Sequence, residues 1–122
     1  MNRVFEIEAL REIQELEESG EKGLVRGLIE DYLKLAPTLL SELELAIVVG
    51  SAKDCERVAH SLKSSSQLLG LKRLGAVCQD IETQGREAIC DLVQMNALVF
   101  EFSLARAELR EFLGVGKSKK AA

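Results

Sequence analysis

His60 is the only histidine among the 122 residues. It stands in the stretch Val58-Ala59-His60-Ser61-Leu62-Lys63-Ser64-Ser65-Ser66-Gln67-Leu68-Leu69-Gly70. An imidazole nitrogen is a nucleophile near neutral pH. A lysine three residues on can hold the oxygens of an anion placed on that nitrogen, and small hydroxyl residues leave room for a second molecule to approach. Phosphoryl transfer fits these properties.

On an α-helix, at ~100° per residue with His60 at zero, the apolar residues Cys55, Val58, Ala59, Leu62 and Leu69 fall between roughly 160° and 260°. Lys63, Ser64 and Gln67 lie within about 60° of His60, on the opposite side. His60 therefore sits near the middle of a wet helical face, with Glu56 and Arg57 one turn earlier. Periodicity alone leaves three readings open: a functional histidine, a solvated bystander and a core residue.

Apolar spacing places the elements that would carry this face. Ile7, Leu10, Ile13 and Leu16 predict a first helix near 5–18, ended by Ser19-Gly20. Val25, Leu28, Tyr32, Leu35, Leu39, Leu43, Ala46 and Ile47 predict a second, with a kink or a stop and restart at Pro37 and an end at Gly50-Ser51. Ser51 followed by Asp54 reads as a capping-box type start for the helix of His60, which closes at Gly70 as a left-handed cap. A fourth helix turns Leu74, Val77, Cys78 and Ile81 inward and ends at Gly85. The fifth begins near Cys90-Asp91, with a seam of Leu92, Met95, Val99, Phe102, Arg106 and Leu109; Arg106 belongs at its edge, with Ala105 facing in. No strand-like alternation and no internal repeat appears. Short connections favour antiparallel neighbours. The expected fold is all-α: an antiparallel four-helix bundle (residues 1–114) with an additional N-terminal helix packed across one end. A flexible basic tail, 115–122, follows.

Totals narrow the function classes. The length suits one domain with one modest core, and 47% hydrophobic residues with a single proline exclude a disordered chain. The net charge is -4. Without the three terminal lysines, residues 1–116 hold 13 basic against 20 acidic residues, a charge of -7. An acidic body argues against a nucleic-acid groove. Cys55, Cys78 and Cys90 show no C-x-x-C spacing, and Cys55 and Cys78 read as small core residues, so neither a disulfide framework nor a zinc site is expected. The longest aliphatic run, Ala46-Ile47-Val48-Val49, is too short to span a bilayer, and the N-terminus carries no export signal. The expected location is cytoplasmic, the expected state a monomer without membrane or nucleic-acid partners. Gly114-Val115-Gly116-Lys117-Ser118 echoes the end of a phosphate-binding loop, but position 111 is glutamate and the segment follows a helix instead of a strand.

Ala59-His60-Ser61-Leu62-Lys63-Ser64-Ser65-Ser66, then Leu69-Gly70, Leu74, Cys78, and Ile81-Glu82 with Gly85-Arg86, resembles the histidine-containing phosphotransfer (HPt) domain family, whose pattern reads roughly A-H-x-L-K-G-S/A, L-G, L-x3-C-x2-L-E-x2-G-R. The match extends over about 28 residues with the right gaps, and such a long spaced agreement is far more specific than a lone H-x-x-K. One departure is Ser64, where the family has glycine; the added hydroxymethyl group near the docking surface implies altered partner preference or rate. The resemblance implies a four-helix bundle that receives a phosphoryl group from a receiver-domain aspartate and passes it to another receiver. Response-regulator receiver domains are the implied partners, a hybrid sensor histidine kinase another. The chain is then a phosphoryl carrier and not an enzyme. It would hold no cofactor of its own, and Mg²⁺ would reside on the partner receiver.

In that frame His60 is phosphoryl acceptor and donor, and Lys63 offsets phosphoryl charge. Gln67 orients the imidazole, contacts the phosphoryl group or is plain surface. Ser64 lines the docking surface. Leu68 and Leu71 supply its apolar part or pack as core. Two other readings stay open. One is a phosphorylation-independent adaptor, in which His60→Ala leaves binding intact. The other is the domain of a chemotaxis-type histidine kinase, labelled by a kinase with ATP.

Overall fold

A computed structural model describes the backbone of residues 23–121 and the side chains of 23–114. Among the described residues four helices follow in order: α1 (Leu24–Val49), α2 (Ala52–Leu68), α3 (Lys72–Arg86) and α4 (Leu92–Ala121). The helix expected near 5–18 lies outside the described residues.

Each helix buries one stripe, and the four stripes meet in one core. From α1 come Ile29, Tyr32, Ala36, Leu39 and Leu43; from α2, Cys55, Val58, Ala59 and Leu62; from α3, Leu74, Cys78 and Ile81; from α4, Met95, Leu98, Phe102, Ala105 and Leu109. Removing a large aliphatic side chain from water contributes roughly 1.5–3 kcal/mol, so this shared seam, rather than helix propensity, holds the bundle. Neighbouring helices run antiparallel. Tyr32 on α1 meets Ser66 on α2, their hydroxyls 2.8 Å apart. On the opposite flank Arg26 Nη2 donates to the Leu113 carbonyl at 3.0 Å, and the Tyr32 and Phe102 rings lie 6.2 Å apart. The contact between α2 and α3 is the most extensive in the bundle.

Several local expectations change. α1 continues through Pro37, so the stop and restart offered as one alternative there does not occur. Proline removes the bond to the carbonyl one turn earlier at a cost of ~3 kcal/mol; the flanking Tyr32, Ala36, Leu39 and Leu43, all buried, offset that loss. Ser51 does not cap α2 with its side chain; its hydroxyl donates to Asp54 Oδ2 at 2.9 Å. In α4 the seam is Met95, Leu98, Phe102, Ala105 and Leu109, while Leu92 and Val99 are exposed. Leu98 and Ala105 complete a spacing that Val99 and Arg106 miss by one position. Arg106 lies outside and Ala105 faces in, both as expected, the guanidinium 5.7 Å from the Phe102 ring centroid. The backbone of α4 is helical to Ala121.

The connections are short because the helices stop sharply. Gly50 and Gly70 both adopt φ above 70°, and each closes a Schellman turn, with Ser51 N–H on Ala46 O and Leu71 N–H on Ser66 O. The same turn closes α3, with Ile89 N–H on Gln84 O, but the left-handed position is Ala88, at φ 61°.

Candidate functional site

The site is set by how closely α3 approaches α2. A Cβ added at Gly85 would stand 2.8 Å from the Ala52 carbonyl oxygen and 2.9 Å from the Glu56 amide nitrogen. Only glycine allows that contact. One turn back on α3, it brings Glu82 against the middle of α2.

Glu82 is buried, its side chain only 3% exposed. Three cations or donors converge on its carboxylate. Lys63 Nζ donates to Oε1 at 2.6 Å, and Arg86 Nη2 donates to Oε2 at 2.7 Å. His60 Nδ1 lies 2.9 Å from the same Oε2. Burial by itself would raise the Glu82 carboxyl, but the hydrogen bonds and charges of Lys63 and His60 outweigh it and hold the group below its ordinary value of 4.5. An ionised carboxylate only accepts, so the hydrogen of the pair sits on Nδ1. In the neutral imidazole Nε2 is thereby left with its lone pair. The His60 side chain is 60% exposed.

A wider network fixes the partners. Lys63, 15% exposed, also donates to Gln79 Oε1 at 2.9 Å, and Gln79 Nε2 donates to Thr83 Oγ1. Arg86 Nε donates to Glu56 Oε2 at 3.0 Å. On the N-terminal side of His60, an open concavity of about 550 Å³ is lined by Lys53, Glu56, Arg57, His60, Ser61 and Glu82. Below the site, burial pushes the Cys78 thiol up to about 12, which keeps it neutral. Among the described residues, no group of three or more His, Cys, Asp or Glu side chains gathers as a metal site.

The remaining sequence candidates separate. Ser64 is exposed, but its hydroxyl turns back to donate to the His60 carbonyl at 3.1 Å, as Ser61 and Ser65 do toward Arg57 and Ser61. Gln67 is exposed and lies over α3, its Cγ 3.2 Å from where a Gly75 Cβ would be. Glu82, not Gln67, touches the His60 ring. Leu68 is 54% exposed, whereas Leu71 has no accessible surface; the turn at Gly70 folds Leu71 into the core, so it does not belong to a docking face. Sequence reasoning gave Glu82 no role of its own. A signal was there: Glu82 falls at helical spacing from Leu74 and Cys78, so the apolar stripe of α3 contains a carboxylate that demands partners.

Fold and site together define a helical bundle that presents a histidine oriented from behind by a buried carboxylate. Residues 27–113 match the Hpt domain family, and the chain belongs to that family. Its fold is similar to histidine-containing phosphotransfer protein B (HptB) from Pseudomonas aeruginosa PAO1, with a TM-score of 0.80 at 20% identity over 91% of this chain and 95% of the other. It is equally similar (TM-score 0.80, 22% identity, 93% and 97% coverage) to the Saccharomyces cerevisiae histidine phosphotransfer signaling protein Ypd1, solved with the receiver domain of its downstream response regulator Ssk1. A curated relative is multistep phosphorelay regulator 1 of Schizosaccharomyces pombe, 27% identical over 74 residues. The match covers 61% of this chain and 25% of that protein's length. No helix among the described residues is long and apolar enough to cross a membrane.

Proposed function

We propose that the chain is a phosphoryl carrier of a two-component phosphorelay, taking the group from a receiver-domain aspartate onto His60 Nε2 and passing it to a second receiver. The observation that supports this most is the exposed imidazole whose Nδ1 is tied to buried Glu82 while Nε2 is bare. Nε2 attacks the phosphorus of the aspartyl phosphate, an N–P bond forms, and the P–O bond to the aspartate breaks with its carboxylate as leaving group. The ring gains positive charge as it keeps its Nδ1 hydrogen, and the Glu82 carboxylate offsets that charge. The donor receiver supplies Mg²⁺; the bundle supplies position.

Lys63 serves mainly through Glu82, since its ammonium already sits on that carboxylate and on Gln79. Arg57 and Lys53, lining the concavity beside His60, add positive charge on the other side. Ser64 and Leu68 form part of the surface a receiver covers, with Gln67 at its rim. The chain acts as a carrier and not as a catalyst with its own nucleotide.

The test is incubation with a phosphorylated receiver domain. The expected product is an acid-labile, alkali-stable phosphate on wild-type protein and none on His60→Gln. No label on wild type across a panel of phosphorylated receivers overturns the assignment.

A further inference from the structure

Two thiols meet at the base of α2, outside the network around His60. Cys55 faces the core five residues before His60 and has no accessible surface. Cys90 comes from the connection between α3 and α4 and is half-buried. Although 35 residues separate them in sequence, Cys55 Sγ–H donates to Cys90 Sγ at 3.7 Å. A disulfide holds its sulfurs at about 2.0 Å, so the pair needs to close by only about 1.7 Å. Cys90 lies between Arg86, the last residue of α3, and Leu92, the first of α4. Its sulfur can swing through its own side-chain torsion without breaking a helical hydrogen bond.

The two sulfurs are not equivalent. Burial, followed by the Cys90 contact, pushes the Cys55 thiol up to about 12, so it stays protonated and dry. Cys90 is the sulfur that solvent and a small oxidant reach first. Cys78, buried on α3, takes no part in this thiol contact.

We infer that Cys55 and Cys90 form an oxidisable dithiol that closes to an intramolecular disulfide in the presence of hydrogen peroxide. The Cys90 thiolate attacks one peroxide oxygen and the O–O bond breaks. Water leaves once the departing oxygen is protonated, and Cys90 is a sulfenic acid. The Cys55 sulfur then attacks the Cys90 sulfur. The S–O bond breaks, and the hydroxyl departs as a second water with the Cys55 proton. Two thiols and one peroxide thus become one disulfide and two waters. The covalent loop from 55 to 90 encloses His60, Lys63 and Glu82, so the oxidised chain should be harder to unfold.

The experiment treats the full chain with hydrogen peroxide, quenches it, and maps peptides without reduction. The expected result is one Cys55–Cys90 bond, a fall from three free thiols to one, full reversal by dithiothreitol and a raised midpoint of thermal unfolding. Cys90→Ser should abolish the bond while keeping the helical spectrum and unfolding midpoint of the reduced wild type. Cys78→Ser should leave bond formation intact. The inference is overturned if Cys90 proceeds to sulfinic acid or to an intermolecular dimer while Cys55 remains a free thiol. It is equally overturned if no thiol is lost at peroxide levels that oxidise a free cysteine control.

Discussion

Replacing Glu82 with glutamine keeps the shape of the side chain and removes its charge, which separates packing from electrostatics at the centre of the site. Lys63 carries most of the cost, because it and Glu82 are 15% and 3% exposed. A hydrogen bond to a charged group contributes roughly 1.5–3 kcal/mol. The His60 and Arg86 side chains are more than half exposed, and solvent screening reduces their pairs to under about 1 kcal/mol each. The expected loss is about 2 kcal/mol, which at a urea slope of roughly 1–3 kcal/mol per molar lowers the unfolding midpoint by about 1 M. Lys63 and Arg86 both have only hydrogens to offer; the more buried Lys63 captures the glutamine carbonyl oxygen, the exposed Arg86 falls back on Glu56 and solvent, and the amide NH₂ faces His60 Nδ1. The ring hydrogen then moves to Nε2, where it blocks the nucleophilic lone pair. A bias of about 1 kcal/mol slows phosphoryl acceptance by about fivefold. Urea titration, nitrogen-15 spectra of the imidazole and rapid-quench transfer kinetics read the three consequences. A Glu82→Gln protein with an unchanged urea midpoint and the hydrogen still on Nδ1 refutes the reasoning.

Gly85→Ala places a methyl group 2.8 Å from the Ala52 carbonyl and must push α3 off α2. Chemical denaturation should show a loss of about 1–3 kcal/mol, with transfer slowed because Glu82 retreats from His60. Ala88→Gly removes a Cβ from a left-handed position and should stabilise the fold by about 0.5–1 kcal/mol without altering transfer. Because the folded protein holds the Glu82 carboxyl below 4.5, the unfolded chain binds more protons at that group. Its stabilising contribution is therefore full above about 4.5 and is lost as pH falls through the lower folded value. Urea midpoints measured against pH should fall less steeply on acidification in Glu82→Gln than in wild type.

The wet face of α2 was legible because its apolar residues repeat cleanly and the polar ones cluster opposite. His60, Ser64 and Leu68 are accordingly exposed. Periodicity is a one-helix signal, however, and the orientation of His60 depends on a second helix. Glu82 reaches the ring only because Gly85 lets α3 touch α2, and no single stretch shows that approach. For the same reason the sequence pointed Lys63 at phosphoryl charge, and its hold on Glu82 and Gln79 did not show there. Leu71 was ambiguous in sequence, since a residue just after a glycine cap can point either way; the turn at Gly70 sends it inward. In α4 many apolar residues offer two seams one position apart, and packing against α1 and α3 selects the one through Leu98 and Ala105. At Pro37 the helix does not stop and restart, because the local rule for a proline is outweighed by the buried flank on either side of it.

The most direct measurement is a phosphorus–nitrogen correlation spectrum of the protein phosphorylated by a receiver domain. The expected spectrum shows one phosphohistidine at position 60, with phosphorus on Nε2 and a hydrogen retained on Nδ1. Phosphorus on Nδ1, or on any side chain other than His60, contradicts the account.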